Sequence, residues 1–459
     1  MAQVVSREAG RALGDLASIV KAYDIRGVVP DQLDEGVAEA VGAAFARVTG
    51  AGTIVTMHDM RTSSGPLAEA FGRGAAAQGA DVLAGGLAST DMLYYASGDL
   101  GIPGAMITAS HNPSRYNGIK LCRAGAKPVG IQTGLAEIRE LAERALDPAP
   151  VPGTVTRRDL LLGYAEHLRK LVDISSIRPL TVAVDAGNGM AGHTVPKVFD
   201  GLPVTLIPLY FDLDGTFPNH EANPIDPENL RDLQAAVTEH HADIGLAFDG
   251  DADRCFVIDE RGEPVSPSVI TALIATRELA REPGATIIHN LITSRAVPEI
   301  VTANGGVPVR TRVGHSFIKA KMAECGAVFG GEHSGHFYFR DFWFADSGML
   351  AALHTLAALG EQPLPLSQLL ARYARYVASG EINSEVADQA ASTEQVRRAF
   401  AGRPGVSTDE LDGLTVSTAT WWFNLRPSNT EPLLRLNVEA DTEATMVSLR
   451  DEVLGMVRG

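Results

Sequence analysis

Short runs of β-branched and apolar residues alternate along this 459-residue chain with alanine- and leucine-rich amphipathic stretches. The strand-like GTIVTMHD (52–59) is followed by the helix-like PLAEAFGRGAAAQG, and LTVAVDAGNG (180–189) repeats the strand pattern. In ENLRDLQAAVTEHH, Leu230, Leu233 and Val237 share one helical face just before the strand-like DIGLAFD. Crossover helices that join the strands of parallel or mixed sheets produce this pattern. The alternation therefore predicts an α/β fold, and the length allows several domains.

The C-terminal part of the chain, from residue 369, has a different pattern. WWFNLR and LLRLNVEA are predicted to be strands, joined by PSNTEP, and apolar and polar residues alternate in the second one. The alternating residues are Leu434, Leu436 and Val438 on one face and Arg435, Asn437 and Glu439 on the other. Such alternation is typical of an antiparallel sheet with one buried face and one polar face.

The charge balance limits the kinds of partner that this chain can have. Thirty-nine Lys and Arg residues face 56 Asp and Glu residues, which gives a net charge of −17. Bulk attraction to nucleic acid or to an anionic membrane is therefore disfavoured. No apolar run of 18 residues occurs, charges interrupt the N-terminal segment, and the three cysteines form no CxxC pair. These features predict a cytoplasmic protein without a membrane span or a signal peptide.

A serine-containing loop follows the apolar run in MITASHNPSRYNGIK (106–120). It offers the hydroxyl of Ser110, the amide of Asn112 and, ten residues after the serine, the ammonium of Lys120. A phosphoserine carries about −1.5 to −2 charges at neutral pH and needs a cation and donors close by. The alternative is that Ser110 and Asn112 only form a turn before Pro113.

An aspartate-rich loop lies between two apolar runs in DIGLAFDGDADRCFVID (243–259). Asp249, Asp251 and Asp253 alternate there, and three carboxylates so close together favour a hard cation such as Mg²⁺. A calcium-binding EF-hand is excluded because its sixth loop position, which requires glycine, is Arg254. A solvated acidic turn is the remaining alternative.

Two further loops carry groups that suit a phosphosugar. GGEHSGHFYF (330–339) presents Glu332, Ser334 and His336 at alternating positions, where they could bind sugar hydroxyls or move a proton. RPSNTEP (426–432) concentrates phosphate donors without a strong counter-charge: Arg426, Ser428, Asn429 and Thr430. A glycine-rich turn and a polar hairpin tip are the respective alternatives.

Taken together and in order, these motifs resemble those of the α-D-phosphohexomutase superfamily, of the phosphomannomutase/phosphoglucomutase type. The matching segments are AYDIRG (22–27), TASHNP (108–113), DGDADR (249–254), GEHSGH (331–336) and RPSNTEP (426–432). FPNHEANP (217–224) and VGHSFIK (313–319) are similar as well, so the resemblance covers nearly the whole chain.

The resemblance implies a four-domain fold around a central cleft, with three similar α/β domains that contain mixed sheets and a smaller C-terminal α+β domain. We expect the domains at 1–154 (serine loop), 155–257 (metal-binding loop), 258–368 (sugar-binding loop) and 369–459 (phosphate-binding loop). The proline-rich segments LDPAPVPGT (146–154) and EQPLPLSQ (361–368) are the predicted connections at two of these borders. The oligomeric state, monomer or homodimer, stays open.

The resemblance also implies a role for each site residue. Ser110 would carry the phosphoryl group and bind one Mg²⁺ together with Asp249, Asp251 and Asp253. Lys120 and Arg254 would assist the transfer, and Lys120 and His336 are the two candidates for general base. The sugar phosphate would be bound by the remaining set: Tyr23, Arg26, His315, Glu332, Ser334, Arg426, Ser428, Asn429 and Thr430.

The implied activity is reversible phosphoryl transfer between O1 and O6 of mannose phosphates, and of glucose phosphates as well, through a hexose 1,6-bisphosphate that also acts as activator. Phosphoglucosamine mutase activity is an alternative, and it is disfavoured because those enzymes tend to have glutamine where this chain has His333. Two others are a phosphohydrolase and a phosphosugar-binding protein without turnover. Some relatives have lysine where this chain has Ile292, and Arg312 is a candidate replacement.

Overall fold

The computed structural model describes residues 16–427 and 433–459, except for the side chains of residues 315 and 316. The chain forms two compact units. Unit 1 runs to Val265 and includes Gly335–Leu366, and unit 2 consists of Ser266–Ser334 and Ser367–Gly459. Among the described residues, no helix combines the length and the apolar composition that a bilayer crossing requires.

The first α/β region of unit 1 contains a seven-stranded mixed sheet with the path β1-β5-β4-β2-β3-β7 and β6 beside β5. Its elements are β1 (Ile25–Val28), α1 (Glu35–Thr49), β2 (Thr53–His58), α2 (Ser64–Ala77), β3 (Asp81–Leu87), α3 (Thr90–Leu100), β4 (Gly104–Ile107), β5 (Tyr116–Arg123), β6 (Lys127–Pro128), α4 (Leu135–Ala142) and β7 (Val155–Arg157). β2 runs parallel to β3 and β4, whereas β5 is antiparallel to β1 and β4. The β4–β5 connection therefore begins at the carboxyl end of a buried parallel strand.

The second α/β region of unit 1 has a five-stranded sheet in the order β12-β11-β10-β8-β9. Its elements are α5 (Leu161–Leu171), β8 (Leu180–Asp185), α6 (Ala191–Phe199), β9 (Val204–Leu209), α7 (Arg231–Glu239), β10 (Ile244–Phe248), β11 (Cys255–Ile258) and β12 (Pro264–Val265). The predicted apolar face of α7 is confirmed, since Leu233 and Val237 are buried, as is Leu230 in the 3₁₀ turn before it. β10 and β11 are antiparallel, with Phe248 opposite Cys255, so a short loop connects them.

The third set of elements begins in unit 2 with α8 (Pro267–Arg281), β13 (Thr286–Asn290), α9 (Ala296–Ala303), β14 (Val307–Thr311), α10 (His315–Cys325) and β15 (Phe329–Gly331). β13 is parallel to both β14 and β15. The chain then contributes β16 (Phe337–Phe339), β17 (Ala345–Asp346) and α11 (Gly348–Gly360) to unit 1, where β16 and β17 are antiparallel. A short helix, α12 (Leu366–Leu370), follows within the segment that was predicted as a connection.

The C-terminal part of unit 2 has an antiparallel sheet in the order β18-β22-β21-β20-β19. Its elements are β18 (Val377–Glu385), α13 (Gln389–Phe400), β19 (Ser407–Asp409), β20 (Leu414–Ser417), β21 (Trp421–Pro427), β22 (Leu433–Ala440) and α14 (Glu443–Arg458). The three apolar residues that alternate in β22 lie in one hydrophobic core with residues of α13 and α14. Three mixed α/β regions and a smaller C-terminal domain confirm the predicted fold class.

Two of the three residues on the polar face of β22 are buried. Asn437 and Glu439 are buried there, with 4% and 3% of their surface exposed. Glu439 accepts hydrogen bonds from the indole Nε1 of Trp422, at 2.7 Å, and from the backbone N–H of Arg295, at 3.0 Å. Other parts of unit 2 therefore cover this face, and the buried carboxylate of Glu439 is satisfied internally.

Candidate active site

The serine loop begins directly after β4 and holds Ser110 in an unusual backbone conformation. Ser110 has φ 51°, in the left-handed region, and only 2% of its surface is exposed. Its backbone N–H donates to the Thr108 hydroxyl at 2.9 Å. A non-glycine residue in this region costs about 1 to 2 kcal/mol, so the surrounding structure has to stabilise it. The backbone at Ser110 therefore departs from the extended conformation of β4.

The aspartate loop between β10 and β11 lies against the serine loop. The Ser110 hydroxyl donates to Asp249 Oδ2 at 2.6 Å. The backbones are equally close, because a Cβ placed on Gly250 would lie 2.4 Å from the carbonyl oxygen of Ser110. A glycine is therefore required at position 250 of this loop. The structure thus brings together two motifs that are 139 residues apart.

Three buried carboxylates converge in the aspartate loop. Asp249, Asp251 and Asp253 are at most 1% exposed, and one oxygen of each lies within 4.8 Å of the others. Burial, followed by repulsion from Asp253 and Asp251, raises the pKa of Asp249. Burial alone would also raise the pKa of Asp251, but the nearby Lys120 ammonium lowers it. The cluster holds more negative charge than a buried site tolerates without cations.

Two side chains supply positive charge to this cluster. The Lys120 ammonium donates to Asp251 Oδ2 at 2.7 Å and to Asp253 Oδ2 at 2.6 Å. Burial would lower the pKa of Lys120, but attraction to these two carboxylates outweighs it, and the pKa is raised. Arg254 Nε lies 3.6 Å from Asp249 Oδ2 and 3.9 Å from Asp253 Oδ1. Lys120 therefore holds its proton in this arrangement.

The carboxylate cluster fits a magnesium ion. Mg²⁺ binds through one or two carboxylates together with phosphate oxygens, and all three aspartates present oxygen ligands. Asp251 Oδ1 is buried and accepts no hydrogen bond from any described residue. A buried carboxylate oxygen without a donor is costly, and a cation would satisfy it. The residues that would hold the metal are Asp249, Asp251, Asp253 and a phosphoryl oxygen on Ser110.

His336 belongs to the same centre in unit 1. Its Nδ1 lies 3.0 Å from Asp346 Oδ2 and 3.8 Å from Asp253 Oδ1. Burial would lower the pKa of His336, but the negative charges of Asp253 and Asp346 outweigh this effect and raise the pKa. The hydrogen bond to Asp346 also fixes the orientation of the imidazole ring.

Two other predicted residues lie at the start of the first sheet, Tyr23 just before β1 and Arg26 within it. Arg26 in β1 donates through Nη1 to the Asn112 side chain of the serine loop at 2.5 Å and through Nη2 to Asp24 at 2.7 Å. Tyr23 is 36% exposed. Arg26 therefore contacts the serine loop directly and presents a guanidinium beside it.

Glu332 and Ser334 lie in unit 2, whereas His336 of the same motif lies in unit 1. Glu332 is buried and accepts hydrogen bonds from the Asn290 side-chain amide, at 3.1 Å, and from the backbone N–H of Gly314, at 3.4 Å. Ser334 is half-buried. Asn290 thus positions the carboxylate that was predicted to bind sugar hydroxyls.

Arg426 of the predicted phosphate-binding loop has a counter-charge, contrary to the expectation from sequence. Arg426 donates through Nη2 to Glu381 Oε2 at 2.6 Å, and Arg435 donates to Glu381 Oε1 at 3.3 Å. Glu381 is on β18, which β22 separates from Arg426 on β21 in the sheet, so the motif alone did not reveal it. Ser428, Asn429 and Thr430 lie outside the described residues, as does the side chain of His315.

Ile292, the position at which some relatives are expected to have lysine, is buried with Leu291 and Trp422. Arg312 is half-exposed, lies over the ring of Phe317 at 5.1 Å, and has Asp412 at 4.0 Å. That Arg312 replaces the missing lysine stays a prediction.

Within unit 1, the structure brings together seven of the predicted side chains: Ser110, Lys120, Asp249, Asp251, Asp253, Arg254 and His336. The sequence analysis missed Asp346, Thr90 and Arg61, which contact this group or its loop, as well as Asn290 and Glu381, which bind Glu332 and Arg426 in unit 2. Thr90, for example, donates to Asp251 Oδ2 at 2.6 Å across 161 residues of sequence. No local motif marks such residues, because each acts through a partner that only the fold brings near.

Models of one protein family match four successive segments of the chain. The α/β/α domains I, II and III of phosphoglucomutase/phosphomannomutase match residues 17–147, 163–262 and 266–376, and the C-terminal domain of that family matches residues 381–456.

Individual proteins are similar over almost the full length. A phosphomannomutase of Escherichia coli is 41% identical over 451 residues, which covers 95% of this chain and 98% of that protein. A protein described as phosphohexose mutases from Xanthomonas campestris pv. campestris is 41% identical, and the similarity covers 96% of this chain and 99% of that protein. A solved phosphoglucomutase/phosphomannomutase family protein from Burkholderia thailandensis has a TM-score of 0.86 at 34% identity, covering 96% of this chain and 97% of that one. Parafusin from Paramecium, at 17% identity and a TM-score of 0.80, covers 98% of this chain and 96% of its own and shares the fold.

Proposed function

The chain belongs to the phosphoglucomutase/phosphomannomutase family and is an isomerase of the intramolecular phosphotransferase type, and we propose that it interconverts the 1-phosphates and 6-phosphates of mannose and of glucose. The observation that carries this proposal is the hydrogen bond from Ser110 to Asp249, at 2.6 Å, within a buried cluster of three aspartates. A hydroxyl in this position is suited to carry a phosphoryl group beside a cation.

The first half-reaction starts from phosphorylated Ser110. The bond between phosphorus and Ser110 Oγ breaks while a new bond forms between phosphorus and O6 or O1 of a hexose monophosphate. The attacking sugar hydroxyl loses its proton to a general base, and Ser110 Oγ gains one, so that protons balance. The product is an enzyme-bound hexose 1,6-bisphosphate. The second half-reaction returns the other phosphoryl group to Ser110 after the sugar has turned round.

The side chains of unit 1 provide the charge and the orientation for this transfer. Lys120 and Arg254 would neutralise the charge of the phosphoryl group, as is usual for this chemistry. Mg²⁺, held by the three aspartates and a phosphoryl oxygen of Ser110, would supply further positive charge to that group when bound. In the unphosphorylated state, Asp249 accepts a hydrogen bond from the Ser110 hydroxyl. It thereby orients this hydroxyl for the second half-reaction, in which Ser110 takes back a phosphoryl group.

The general base has two candidates, Lys120 and His336. Each of these groups can accept a proton only when it is in its neutral form. An imidazole loses its proton near pH 6.5 and a lysine ammonium near pH 10.4 in water, and the carboxylates around each raise its pKa. His336 therefore reaches the neutral form at lower pH, and we assign the proton transfer to His336 and the charge neutralisation to Lys120.

The sugar and the phosphate that is not reacting would be bound mainly by residues of unit 2. Glu332, fixed by Asn290, is suited to accept hydrogen bonds from two sugar hydroxyls, and Ser334 to donate or accept another. Arg426, with the amide and hydroxyl side chains that follow it in RPSNTEP, would hold the phosphate. Tyr23, Arg26 and His315 would complete the substrate contacts.

Activity on both mannose and glucose is expected if Glu332 and Ser334 bind O3 and O4. The two sugars differ only at C2, and groups that bind O3 and O4 discriminate poorly between them. The name phosphomannomutase of similar proteins favours mannose as one substrate. Glucosamine 1-phosphate is the alternative substrate, and His333 rather than glutamine in GEHSGH speaks against it.

A direct assay distinguishes these activities. Purified protein with Mg²⁺ and a trace of glucose 1,6-bisphosphate is incubated with mannose, glucose or glucosamine 1-phosphate, and the products are followed by phosphorus NMR. We expect the 6-phosphates of mannose and glucose, with a lower kcat/KM for glucosamine. Release of inorganic phosphate in place of a 6-phosphate would identify a phosphohydrolase. Binding of the bisphosphate without any conversion would identify a phosphosugar-binding protein.

A further inference from the structure

A buried arginine outside the predicted site binds the backbone of the serine loop. Arg61, in the connection between β2 and α2, donates through Nη2 to the carbonyl oxygens of Ser110, at 2.8 Å, and Asn112, at 2.6 Å. Through Nη1 it donates to the carbonyl oxygens of Pro113, at 2.9 Å, and Tyr116, at 3.0 Å. The four terminal N–H groups of one guanidinium thus match four carbonyl groups of one loop.

Surrounding residues fix this guanidinium in place. The side chain of Arg61 is 1% exposed, and its Nε lies 3.2 Å from Asp59 Oδ2. Asp59 in turn accepts hydrogen bonds from the Arg61 backbone N–H and from the Ser64 hydroxyl. The centre of the Phe217 ring lies 5.0 Å from the guanidinium carbon of Arg61. A buried guanidinium is costly unless its donors are satisfied and its charge is paired. Here carbonyl oxygens satisfy the four terminal N–H groups and Asp59 pairs the charge, whereas Nε donates no hydrogen bond to a described residue.

The carbonyl group of Ser110 is held from two sides. Arg61 donates to its oxygen, and Gly250 of the aspartate loop packs so closely against the same oxygen that a Cβ would not fit. The backbone of Ser110 is in the left-handed region, which an isolated serine rarely adopts. Direct hydrogen bonds to its carbonyl and to three neighbouring carbonyls offset the cost of that conformation.

We propose that Arg61 is a positioning residue for phosphoryl transfer, which holds the serine loop in the conformation that directs the Ser110 hydroxyl at Asp249. This inference rests on the proposed function, because it concerns the serine that carries the phosphoryl group. Among the described residues, no hydrogen bond links Arg61 to the Ser110 hydroxyl or to the carboxylate cluster. Its charge interacts with Asp251, but any cation at this position keeps that attraction, so the specific effect of the guanidinium passes through the backbone. Its loss should therefore change the chemical step rather than the binding of the sugar.

The test compares Arg61→Lys with wild type and with Arg169→Lys. Lysine keeps the charge but has three donors without the planar fork, so it cannot bind four carbonyls. Arg169 is the matched control, since it also donates to two backbone carbonyls, of Val198 and Lys197, but does not contact the serine loop. Each protein is assayed for kcat and KM with mannose 1-phosphate, for the rate of Ser110 phosphorylation by glucose 1,6-bisphosphate, and for its folded fraction by circular dichroism.

For Arg61→Lys we expect a kcat about 100-fold lower, the loss typical of a misplaced reacting group, with KM unchanged and Ser110 phosphorylation slowed in parallel. Arg169→Lys should keep the wild-type kcat. Asp59→Asn, which removes the carboxylate that faces Arg61 Nε, should lower kcat in the same direction but less, and it decides the matter if Arg61→Lys does not fold.

The proposal is overturned if the folded Arg61→Lys and Asp59→Asn proteins phosphorylate Ser110 and turn over at the wild-type rate. It is also overturned if their loss of kcat equals the loss of folded protein or occurs equally in Arg169→Lys. A wild-type protein that neither turns over hexose phosphates nor phosphorylates Ser110 would overturn the proposed function instead.

Discussion

At the residue scale, the centre of unit 1 is governed by the balance between buried carboxylates and a few cations. Three aspartates meet Lys120 and Arg254, and Ser110 adds a hydroxyl that donates to Asp249. Addition of a phosphoryl group to Ser110 would add further negative charge, which a divalent cation offsets. The charges therefore favour a site that handles phosphate and metal together.

Asp91, on the first turn of α3, is a further buried carboxylate outside this cluster, and it accepts hydrogen bonds from three hydroxyls. The donors are Ser89 at 2.5 Å, Ser347 at 2.6 Å and Tyr164 at 2.7 Å. Burial, against the effect of these hydrogen bonds, raises the pKa of Asp91 from 3.8 to about 6. The native state thus binds one more proton than the unfolded state between these two values.

Because of this difference, the free energy of unfolding should fall as pH rises from about 4 to about 6, by up to about 3 kcal/mol from Asp91 alone. The contribution of the carboxyl group is most favourable below pH 4 and least favourable above pH 6. Asp91→Asn should remove this part of the pH dependence, as measured by urea unfolding at several pH values. Asp99→Asn, at an exposed position of the same helix, should keep the wild-type profile, and an unchanged profile in Asp91→Asn would contradict the assignment.

The short motifs contain the residues that are proposed to carry the chemistry, but not those that hold them. Ser110 and the three aspartates could be selected as candidates because their functional groups are concentrated in short loops. Arg61, Asp346 and Glu381 could not, since each is an isolated charged residue whose partner is supplied by the fold. Glu381 also corrects the expectation that Arg426 lacks a counter-charge.

At the element scale, the two central loops are positioned by the strands and helices that flank them. The serine loop leaves the carboxyl end of β4, and the aspartate loop connects β10 to β11. The start of α3 contacts the aspartate loop, because the Thr90 hydroxyl donates to Asp251 Oδ2 at 2.6 Å and the Thr90 backbone N–H donates to the carbonyl oxygen of Asp251 at 2.9 Å. The N-terminus of α3 therefore orients one of the proposed metal ligands.

Thr90→Val should weaken the response to magnesium, because Asp251 loses the hydroxyl that orients its carboxylate. We expect the Mg²⁺ concentration for half-maximal activity to rise about tenfold, as is typical when a residue that orients a metal ligand is removed. Thr90→Ser keeps the hydroxyl and should behave like wild type. Titration of activity with Mg²⁺ after removal of metal by a chelator measures the effect, and equal midpoints for valine and serine would contradict this role.

The secondary structure could be predicted well where periodicity was strong. The strand-like 52–59, 180–189 and 243–249 correspond to β2, β8 and β10, and the apolar face of α7 is buried as expected. The burial of Asn437 and Glu439 could not be predicted, because polar side chains give no sign that another part of the chain will cover them.

At the scale of the whole molecule, the predicted groups fall into two sets. Ser110, the aspartates, Lys120 and His336 lie in unit 1, whereas Glu332, Ser334 and Arg426 lie in unit 2. The proposed function assigns phosphoryl transfer to the first set and binding of the sugar and the distal phosphate to the second. Substitutions in the two units should therefore affect different kinetic constants.

Arg426→Gln should raise KM for mannose 6-phosphate about tenfold or more, because a charge-assisted hydrogen bond to phosphate contributes about 1.5 to 3 kcal/mol. Saturating glucose 1,6-bisphosphate should still phosphorylate Ser110, as measured by mass spectrometry of the intact protein. Arg403→Gln, which loses an exposed ion pair with Glu452 in the same unit, should leave KM unchanged. A wild-type KM in Arg426→Gln would exclude Arg426 as a phosphate ligand.

The order of the motifs allowed the family and the four-domain fold to be predicted from sequence. The domain borders at 154, 257 and 368 stay predictions, because such borders fall in segments that lack a periodic pattern. Preference among hexoses could not be predicted either, since it depends on contacts with individual hydroxyls rather than on motifs.

The central claim is that Ser110 accepts and returns the phosphoryl group, and Ser110→Ala tests it most directly. The variant is incubated with Mg²⁺, glucose 1,6-bisphosphate and mannose 1-phosphate, and mannose 6-phosphate is followed by phosphorus NMR. Ser114→Ala, which removes an exposed hydroxyl from the same loop, is the control. We predict no conversion by Ser110→Ala and wild-type conversion by Ser114→Ala, whereas turnover by Ser110→Ala at the wild-type rate would contradict the mechanism.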